Sequence, residues 1–159
     1  MLVNRDNGFT LIELLVTLAV LVILVTIAVP GFQRMMAVNR VVADYNEVLS
    51  GLNFARSEAV KRRAPVQFVA SNNGSWEYVV SIVGGDDLRV RSGRNNRTSI
   101  SEGTVVFNAL GRRESCTAPG DCVLSITSTF SGIDDRDAQI SIMGRVGKAP
   151  ATPSDEVGE

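Results

Sequence analysis

The chain of 159 residues contains no histidine. This absence removes both the commonest general base and the commonest metal ligand among protein side chains. Without histidine, no serine–histidine or cysteine–histidine pair can form. A glycine-rich phosphate loop is also missing, because the pair Gly84-Gly85 is better explained as a turn. The sequence therefore predicts that the chain is not an enzyme, and it predicts neither a metal nor another cofactor.

The chain also has few cysteines and a small net charge. The formal net charge is −1, which gives no bulk attraction to nucleic acid. The two cysteines, Cys116 and Cys122, flank a turn-like Pro-Gly-Asp stretch. Zinc would need further cysteine or histidine ligands, and the sequence has none. If the domain is exported, the short spacing favours one disulfide, and two free thiols are the alternative.

A long apolar run near the N-terminus dominates the sequence. Leu14–Val29 is apolar apart from two threonines. As a helix, Phe9–Pro30 would extend about 33 Å at about 1.5 Å per residue. This length matches a bilayer hydrocarbon core of about 30 Å. A cleaved secretory signal or simple anchor is the alternative, but the bulky end of the run spoils a signal-peptidase site.

A glutamate, Glu13, stands just before this run. A carboxylate inside a membrane span costs on the order of 2.5–3.5 kcal/mol, so it usually marks a function. The alternative is that Glu13 only marks the start of a helix. There its carboxylate interacts favourably with the helix dipole and its side chain extends to the membrane interface. The flanking charges do not decide the orientation, because Arg5 precedes the run while Arg34 and Arg40 follow it.

The stretch Gly8–Leu14, GFTLIEL, resembles the processing signature of type IV prepilins and type II secretion pseudopilins. The resemblance implies that a prepilin peptidase removes a leader, residues 1–8, by cutting between Gly8 and Phe9 on the cytoplasmic side. The resemblance also implies that the same peptidase methylates the new amine of Phe9. Residues 9–30 would then form a transmembrane and filament-core helix.

The same resemblance assigns a place and an assembly role to this helix. It implies a single-pass protein of the bacterial inner membrane, with its C-terminal domain in the periplasm, until the subunit enters a pilus or pseudopilus. A carboxylate in the dry filament centre is tolerated when it pairs with a neighbour's amine, so Glu13 is predicted to set the axial register. Pro30, which lacks a backbone donor, is expected to kink or loosen the helix.

An amphipathic helix is predicted over residues 31–64. Apolar residues recur there at intervals of three and four and predict one buried stripe: Val38, Val41, Val42, Tyr45, Val48, Leu49, Leu52, Ala55 and Ala59. The basic triplet Lys61–Arg63 ahead of Pro65 predicts the end of the helix. The triplet either compensates the helix dipole or offers a patch to an anionic partner.

The residues after Pro65 change to the period of β-strands, and residues 65–148 are predicted as an antiparallel β domain. The predicted strands are Val66–Val69, Trp76–Val83, Leu88–Arg91, Thr104–Asn108, Cys122–Thr129 and Gln139–Met143. Ser92–Ser101 is expected to be a polar loop, and residues 149–159 a disordered tail. The fold class is therefore α+β and type IV pilin-like, with a long N-terminal helix packed on an antiparallel sheet.

Three segments after the apolar run resemble the GspH/FimT/FimU group of minor pilins and pseudopilins. They are Asn53–Arg62, Val106–Gly111 and a late strand ending in Ser141–Arg145. The resemblance implies a minor pilin that primes assembly of a type IV pilus or sits near its tip. Its partners would be other minor and major pilins or pseudopilins. The alternative is the H-type minor pseudopilin of a type II secretion system, which acts in protein secretion.

The second alternative is a minor pilin that binds DNA for uptake. Some FimT-like relatives carry a Gly-Arg-x-Arg motif near the C-terminus, and Gly144, Arg145 and Lys148 are the matching candidates here, although Gly147 replaces the second arginine. Further arginines could extend a phosphate-binding face: Arg89, Arg91, Arg94, Arg97, Arg112 and Arg113. They are alternatively ordinary solvated charges, whose field nearby acids would largely cancel.

Overall fold

The computed structural model describes residues 9–94 and 96–149. The chain divides into two compact units, Met1–Met36 and Ala37–Glu159. The predicted leader, residues 1–8, lies outside the described residues, as does the predicted tail from residue 150 onwards. Ala149, the first residue of that tail, donates a backbone hydrogen bond of 2.9 Å to the carbonyl oxygen of Asp137. The limits of the predicted segments otherwise remain predictions.

The long helix α1 runs from Leu11 to Arg62. At its start, the Thr10 hydroxyl accepts a hydrogen bond of 3.3 Å from the backbone N–H of Glu13, which is an N-cap arrangement. At its end, the backbone N–H of Ala64 reaches back 3.3 Å to the carbonyl oxygen of Ala59. Arg63 takes the left-handed conformation that this type of helix ending requires, with φ of 53°.

Within the described residues, nine strands and a short helical turn follow α1, and the strands form two antiparallel sheets. The first sheet has the order β3-β2-β1-β5-β6 and the second has the order β4-β7-β8-β9. The elements are β1 (Val66–Asn72), β2 (Trp76–Ile82), β3 (Asp87–Ser92), β4 (Thr98–Ile100), β5 (Gly103–Phe107), β6 (Arg113–Cys116), α2 (Pro119–Cys122), β7 (Val123–Ser128), β8 (Arg136–Ile140) and β9 (Val146–Lys148).

The core of the second unit forms where the C-terminal half of α1 packs on these sheets. The buried stripe of α1 consists of Ala37, Val41, Tyr45, Val48, Gly51, Leu52, Ala55, Glu58 and Ala59. Alternate residues of the strands complete the core, with Phe68, Tyr78 and Phe107 as its largest fully buried side chains. Gly51 permits close packing, because a Cβ atom there would lie 2.6 Å from Cζ of Tyr78.

The predicted α+β class is confirmed, but three details of the strand prediction are wrong. Ser92–Ser101 is not wholly a loop, because β4 pairs with β7 within it. The last predicted strand starts and ends earlier than expected, at Arg136 and Ile140, because Gly144 with φ of 75° closes a turn after it. The short edge strands β6 and β9 were not predicted, since neither carries an alternating apolar run.

Candidate functional site

The N-terminal unit exposes all of its described apolar side chains. Every residue from Phe9 to Met36 is exposed, and most of them are large and hydrophobic. α1 is long enough and apolar enough to cross a membrane, by length and composition. An apolar surface of this size is unstable in water, so a bilayer or neighbouring subunits must cover it.

The two threonines within this apolar segment satisfy their own hydroxyl groups. Thr17 donates a hydrogen bond of 2.9 Å to the carbonyl oxygen of Leu14. Thr26 donates one of 2.8 Å to the carbonyl oxygen of Ile23. Both bonds stay within the helix, so neither hydroxyl needs water or a partner in an apolar environment. Glu13 is thus the only ionisable side chain among residues 9–33, and its carboxylate is the group that an apolar environment would penalise most.

Glu13 lies in the first turn of α1, three residues after the N-cap Thr10. An acid at this position interacts favourably with the helix dipole, so the structure supports a local role at the helix start. Its side chain is exposed, as is that of Phe9, while Gly8 lies outside the described residues. Cleavage, methylation and the role of Glu13 in register remain predictions.

Pro30 lies inside α1 rather than at its end. The helix is assigned without a break from Leu11 to Arg62, so the missing donor of Pro30 does not terminate it. The kink or loosening expected at Pro30 remains a prediction.

The predicted disulfide is present between Cys116 and Cys122, with an S–S distance of 1.99 Å and a Cα–Cα distance of 5.8 Å. It joins the end of β6 to the residue before β7, and so links an edge strand of the first sheet to the second sheet. The alternative of two free thiols is therefore excluded. Within the described residues, no cluster of three or more acidic or cysteine side chains could hold a metal.

Arg113 connects the disulfide loop to both sheets. This residue opens β6, and its guanidinium donates hydrogen bonds of 2.8 Å to the carbonyl oxygen of Ile140 and 3.0 Å to the carboxylate of Asp121. Its backbone N–H also donates to the carbonyl oxygen of Ile142 at 3.1 Å. Arg113 is mostly buried and was predicted only as a possible phosphate-binding charge, so its observed contacts give it a structural role instead.

Two of the family-like segments, far apart in sequence, meet in space. The turn between β5 and β6 contains Gly111, and the turn between β8 and β9 contains Gly144. A Cβ atom on Gly144 would lie 1.9 Å from the carbonyl oxygen of Gly111, and both glycines have positive φ. The glycine of the supposed DNA-binding motif is thus required by backbone conformation and by packing. Sequence reasoning missed this contact, because no local pattern pairs the two turns.

The other candidate DNA-binding residues do not establish a DNA site. Arg145 and Lys148 are both exposed. Of the supporting arginines, Arg89 stacks over the Phe54 ring at 3.7 Å, and Arg91 lies 3.7 Å from the carboxylate of Glu47. DNA binding therefore remains a prediction.

The basic triplet at the end of α1 is partly neutralised within the helix. Glu58 is buried and accepts hydrogen bonds from Arg62 at 2.7 Å and Lys61 at 3.4 Å. The hydrogen bond from Arg62 is the main reason that the pKa of Glu58 is lowered. These pairs favour the explanation that the triplet stabilises the helix end. The spacings of three and four from Glu58 were the sequence signal for them.

A second acidic residue of α1 anchors the helix to the first sheet. Glu47 accepts a hydrogen bond of 2.8 Å from the hydroxyl of Tyr78. Burial of the ring, followed by the hydrogen bond to Glu47, raises the pKa of Tyr78 to about 12. Asp44 accepts a further hydrogen bond from Thr98 of β4. These acids are therefore structural in the described unit.

A long N-terminal helix, an uncovered apolar first half and an antiparallel β domain define the class of type IV pilin-like proteins. Residues 3–29 match the prokaryotic N-terminal methylation motif. Residues 44–144 match the family described as type II transport protein GspH. The chain belongs to the GspH family. A search of curated proteins finds no match.

Solved structures show the same fold. The chain is similar to the type IV minor pilin FimU of Pseudomonas aeruginosa strain PAO1 in two crystal forms. In space group P65, the TM-score is 0.52 at 22% identity, covering 66% of this chain and 89% of that one. In space group P21, the TM-score is 0.55 at 22% identity, covering 76% and 93%.

The comparisons show the general role of the protein. The family and the structural neighbours are structural pilin proteins, so the chain is not an enzyme. Membership of the family implies assembly with other pilins or pseudopilins. The methylation motif and the apolar helix indicate membrane anchoring.

Proposed function

We propose that this protein is a minor pilin that primes assembly of a type IV pilus or sits near its tip. The observation that carries the proposal is the methylation motif over residues 3–29, placed at the start of an apolar helix that nothing in its own unit covers. The similarity of the fold to that of FimU, a type IV minor pilin, supports the same conclusion.

In the proposed pathway, prepilin peptidase hydrolyses the peptide bond between Gly8 and Phe9 and releases the leader. The amine of Phe9 becomes the new N-terminus and is methylated, which keeps it cationic. The subunit then remains in the inner membrane, with its β domain in the periplasm, until it enters the filament. The uncovered segment Phe9–Met36 supplies the apolar surface for both environments.

The role proposed for Glu13 is to select the axial register of the subunit. An unpaired carboxylate among packed apolar helices is costly, whereas one paired with the cationic amine of a neighbour is tolerated. The carboxylate therefore penalises wrong registers more than it strengthens the right one. The observed helix-start position of Glu13 is compatible with this role, because the exposed carboxylate is available to a neighbour.

Two substitutions test this proposal and separate it from a local role at the helix start. Glu13→Leu should leave cleavage intact and reduce incorporation into filaments by about tenfold or more, since it leaves the cationic amine of a neighbour unpaired among apolar helices. Glu13→Gln keeps a hydrogen-bonding group at the helix start but removes the charge, and should show the same defect. Thr17→Leu, one turn further on, is the matched control and should assemble. Normal incorporation of Glu13→Gln would defeat the register role.

The second candidate function is that of the H-type minor pseudopilin of a type II secretion system. It is favoured by one specific observation, the match of residues 44–144 to the family described as type II transport protein GspH. A deletion strain separates the two candidates when piliation and exoprotein secretion are measured in parallel. Loss of pili with normal secretion supports the pilus, whereas loss of secretion with normal pili supports the pseudopilin.

A further inference from the structure

Exposed apolar side chains flank Gly111 and Gly144, where two turns meet. Leu110 is 74% exposed, Ile142 is 67% exposed and Met143 is 60% exposed. Val60 of α1 joins them, because its Cγ2 atom lies 2.9 Å from the Cβ position of Gly111. We define these four side chains as the turn cluster. They belong to the same compact unit, and a folded domain rarely exposes neighbouring large apolar residues without a function.

The backbone holds the turn cluster in a fixed shape. The first turn is closed by hydrogen bonds from Gly111 N–H to the Asn108 carbonyl oxygen and from Asn108 N–H to the Arg112 carbonyl oxygen. The second turn is closed by a bond from Gly144 N–H to the Ser141 carbonyl oxygen. Arg113 N–H then binds the carbonyl oxygen of Ile142 and links the two turns. A preformed apolar surface loses little conformational entropy when a partner binds it.

Positive charge surrounds the turn cluster. The Nε atom of Arg56 lies 3.3 Å from the Cβ position of Gly111. The Cα atom of Arg112 lies 3.2 Å from the Cβ position of Gly144, and Arg145 follows Gly144 in the sequence. Within residues 9–94 and 96–149, the ion pairs are formed by Lys61, Arg62, Arg91 and Arg113 and by none of these three arginines. These three guanidinium groups therefore keep their charge available to an acidic partner.

We propose that the turn cluster is a docking surface for the globular domain of a neighbouring pilin subunit, one that presents an apolar surface edged by carboxylates. The inference rests on the proposed function as a minor pilin. Protein–protein interfaces are enriched in methionine and arginine and depleted in lysine, and their buried centre is more apolar than the rest of the surface. Family membership supplies the partner class, because pilins assemble with other pilins or pseudopilins.

Photo-crosslinking in intact cells tests this surface directly with the full chain. Benzoylphenylalanine placed at position 110 or 142 should give an adduct whose mass spectrum identifies a pilin or pseudopilin. The matched control position is Val83, an exposed valine after β2 and outside the turn cluster. Adducts with lipid or DNA instead of a pilin, or pilin adducts no stronger than those at position 83, would overturn the proposal.

Charged substitutions supply the second measurement. Leu110→Asp combined with Met143→Asp should reduce incorporation into filaments by about tenfold, since each variant carboxylate would be buried without a partner in the apolar centre of the interface. Arg112→Glu should reduce it severalfold, and Val83→Asp should leave it unchanged. The domain should remain folded in all three, because the altered side chains are exposed.

The outcomes separate this inference from the proposed function. If Glu13→Leu blocks incorporation while the turn-cluster variants assemble normally, the docking surface is wrong and the minor-pilin function stands. If the wild-type chain never enters a filament or pilin complex, both are wrong. Loss of DNA uptake with normal filament incorporation in Arg112→Glu would also overturn the docking surface, because it would assign the charges to DNA.

Discussion

The two halves of α1 are equally helical but differ in what covers their apolar side chains. From Phe9 to Met36, every side chain is exposed. From Ala37 onwards, every third or fourth residue is buried against the strands of the same chain. The difference teaches that a helix satisfies its backbone hydrogen bonds within its own segment, whereas coverage of its apolar surface depends on a partner. For the first half, that partner must come from outside its unit.

The two glycines of α1 show the same contrast. A Cβ atom added at Gly31 would meet nothing within 4 Å, whereas one added at Gly51 would meet ring atoms of Tyr78 and Phe68. Glycine is unfavourable inside a helix, so Gly51 is justified by close packing in the folded domain. Gly31 has no such justification within the described chain.

The largest expected effect comes from Gly51→Ala. Its Cβ would lie 2.6 Å from Tyr78 and 2.9 Å from Phe68, both fully buried, so overpacking should exceed the gain in helix propensity. We expect the free energy of unfolding to fall by about 2–3 kcal/mol. Gly31→Ala, the matched control in the same helix, should not destabilise the domain. Fluorescence of Trp76, the only tryptophan, reports unfolding of this domain in the full chain in detergent. Equal effects of the two substitutions would break the comparison.

Removal of the disulfide should have the next largest effect. The double substitution Cys116→Ser and Cys122→Ser opens a loop with a sequence separation of 6. Loop-closure entropy then predicts a loss of about 2 kcal/mol in the free energy of unfolding. Urea unfolding should show a lower midpoint for the variant, and reductant should shift the wild type but not the variant. A wild type that is insensitive to reductant would contradict this role.

The raised pKa of Tyr78 predicts that the second unit loses stability at high pH. Its pKa is about 12 in the folded domain, above its ordinary value of 10.0. Stability from this group is therefore complete below pH 10 and declines as the pH rises towards 12, on the order of 1–2 kcal/mol in all. Urea unfolding from pH 8 to 12 should show this decline in the wild type. The decline should be smaller in Tyr78→Phe, and equal declines would contradict the assignment.

Arg63→Gly should produce the smallest effect, and in the opposite direction. Arg63 has φ of 53°, where glycine is free of steric strain. The substitution should raise the free energy of unfolding by about 1 kcal/mol. Lys61→Gly, two residues earlier and inside α1, should lower it by about the same amount. The melting temperatures should thus move in opposite directions, and a lower value for Arg63→Gly would refute the helix-ending geometry.

Patterns that repeat along the chain were readable from the sequence. The stripe through Val41, Val48 and Leu52 follows helical spacing, and the apolar run and the GFTLIEL stretch are contiguous. The disulfide was predictable from cysteine spacing and the assumption of export. Each of these signals lies within a short stretch of sequence.

The remaining features depend on contacts between distant residues. The two-sheet arrangement and β4 depend on pairing with β7, which Thr98–Ile100 alone do not specify. The contact of Gly111 with Gly144 joins turns that are 33 residues apart, so the sequence offered Gly144 only as a candidate DNA-binding residue and as part of a family-like segment. The turn cluster escaped prediction for the same reason, because its residues come from three separate segments.

The central claim is that the uncovered half of α1 becomes the mature N-terminus of a pilin. The most direct test is the intact mass of the membrane-extracted protein from cells with and without prepilin peptidase. We expect a product that starts at N-methylated Phe9 and appears only with the peptidase. A chain that stays uncut in the presence of the peptidase, or one cut after Ala28, would contradict the claim and make the segment an ordinary anchor or signal.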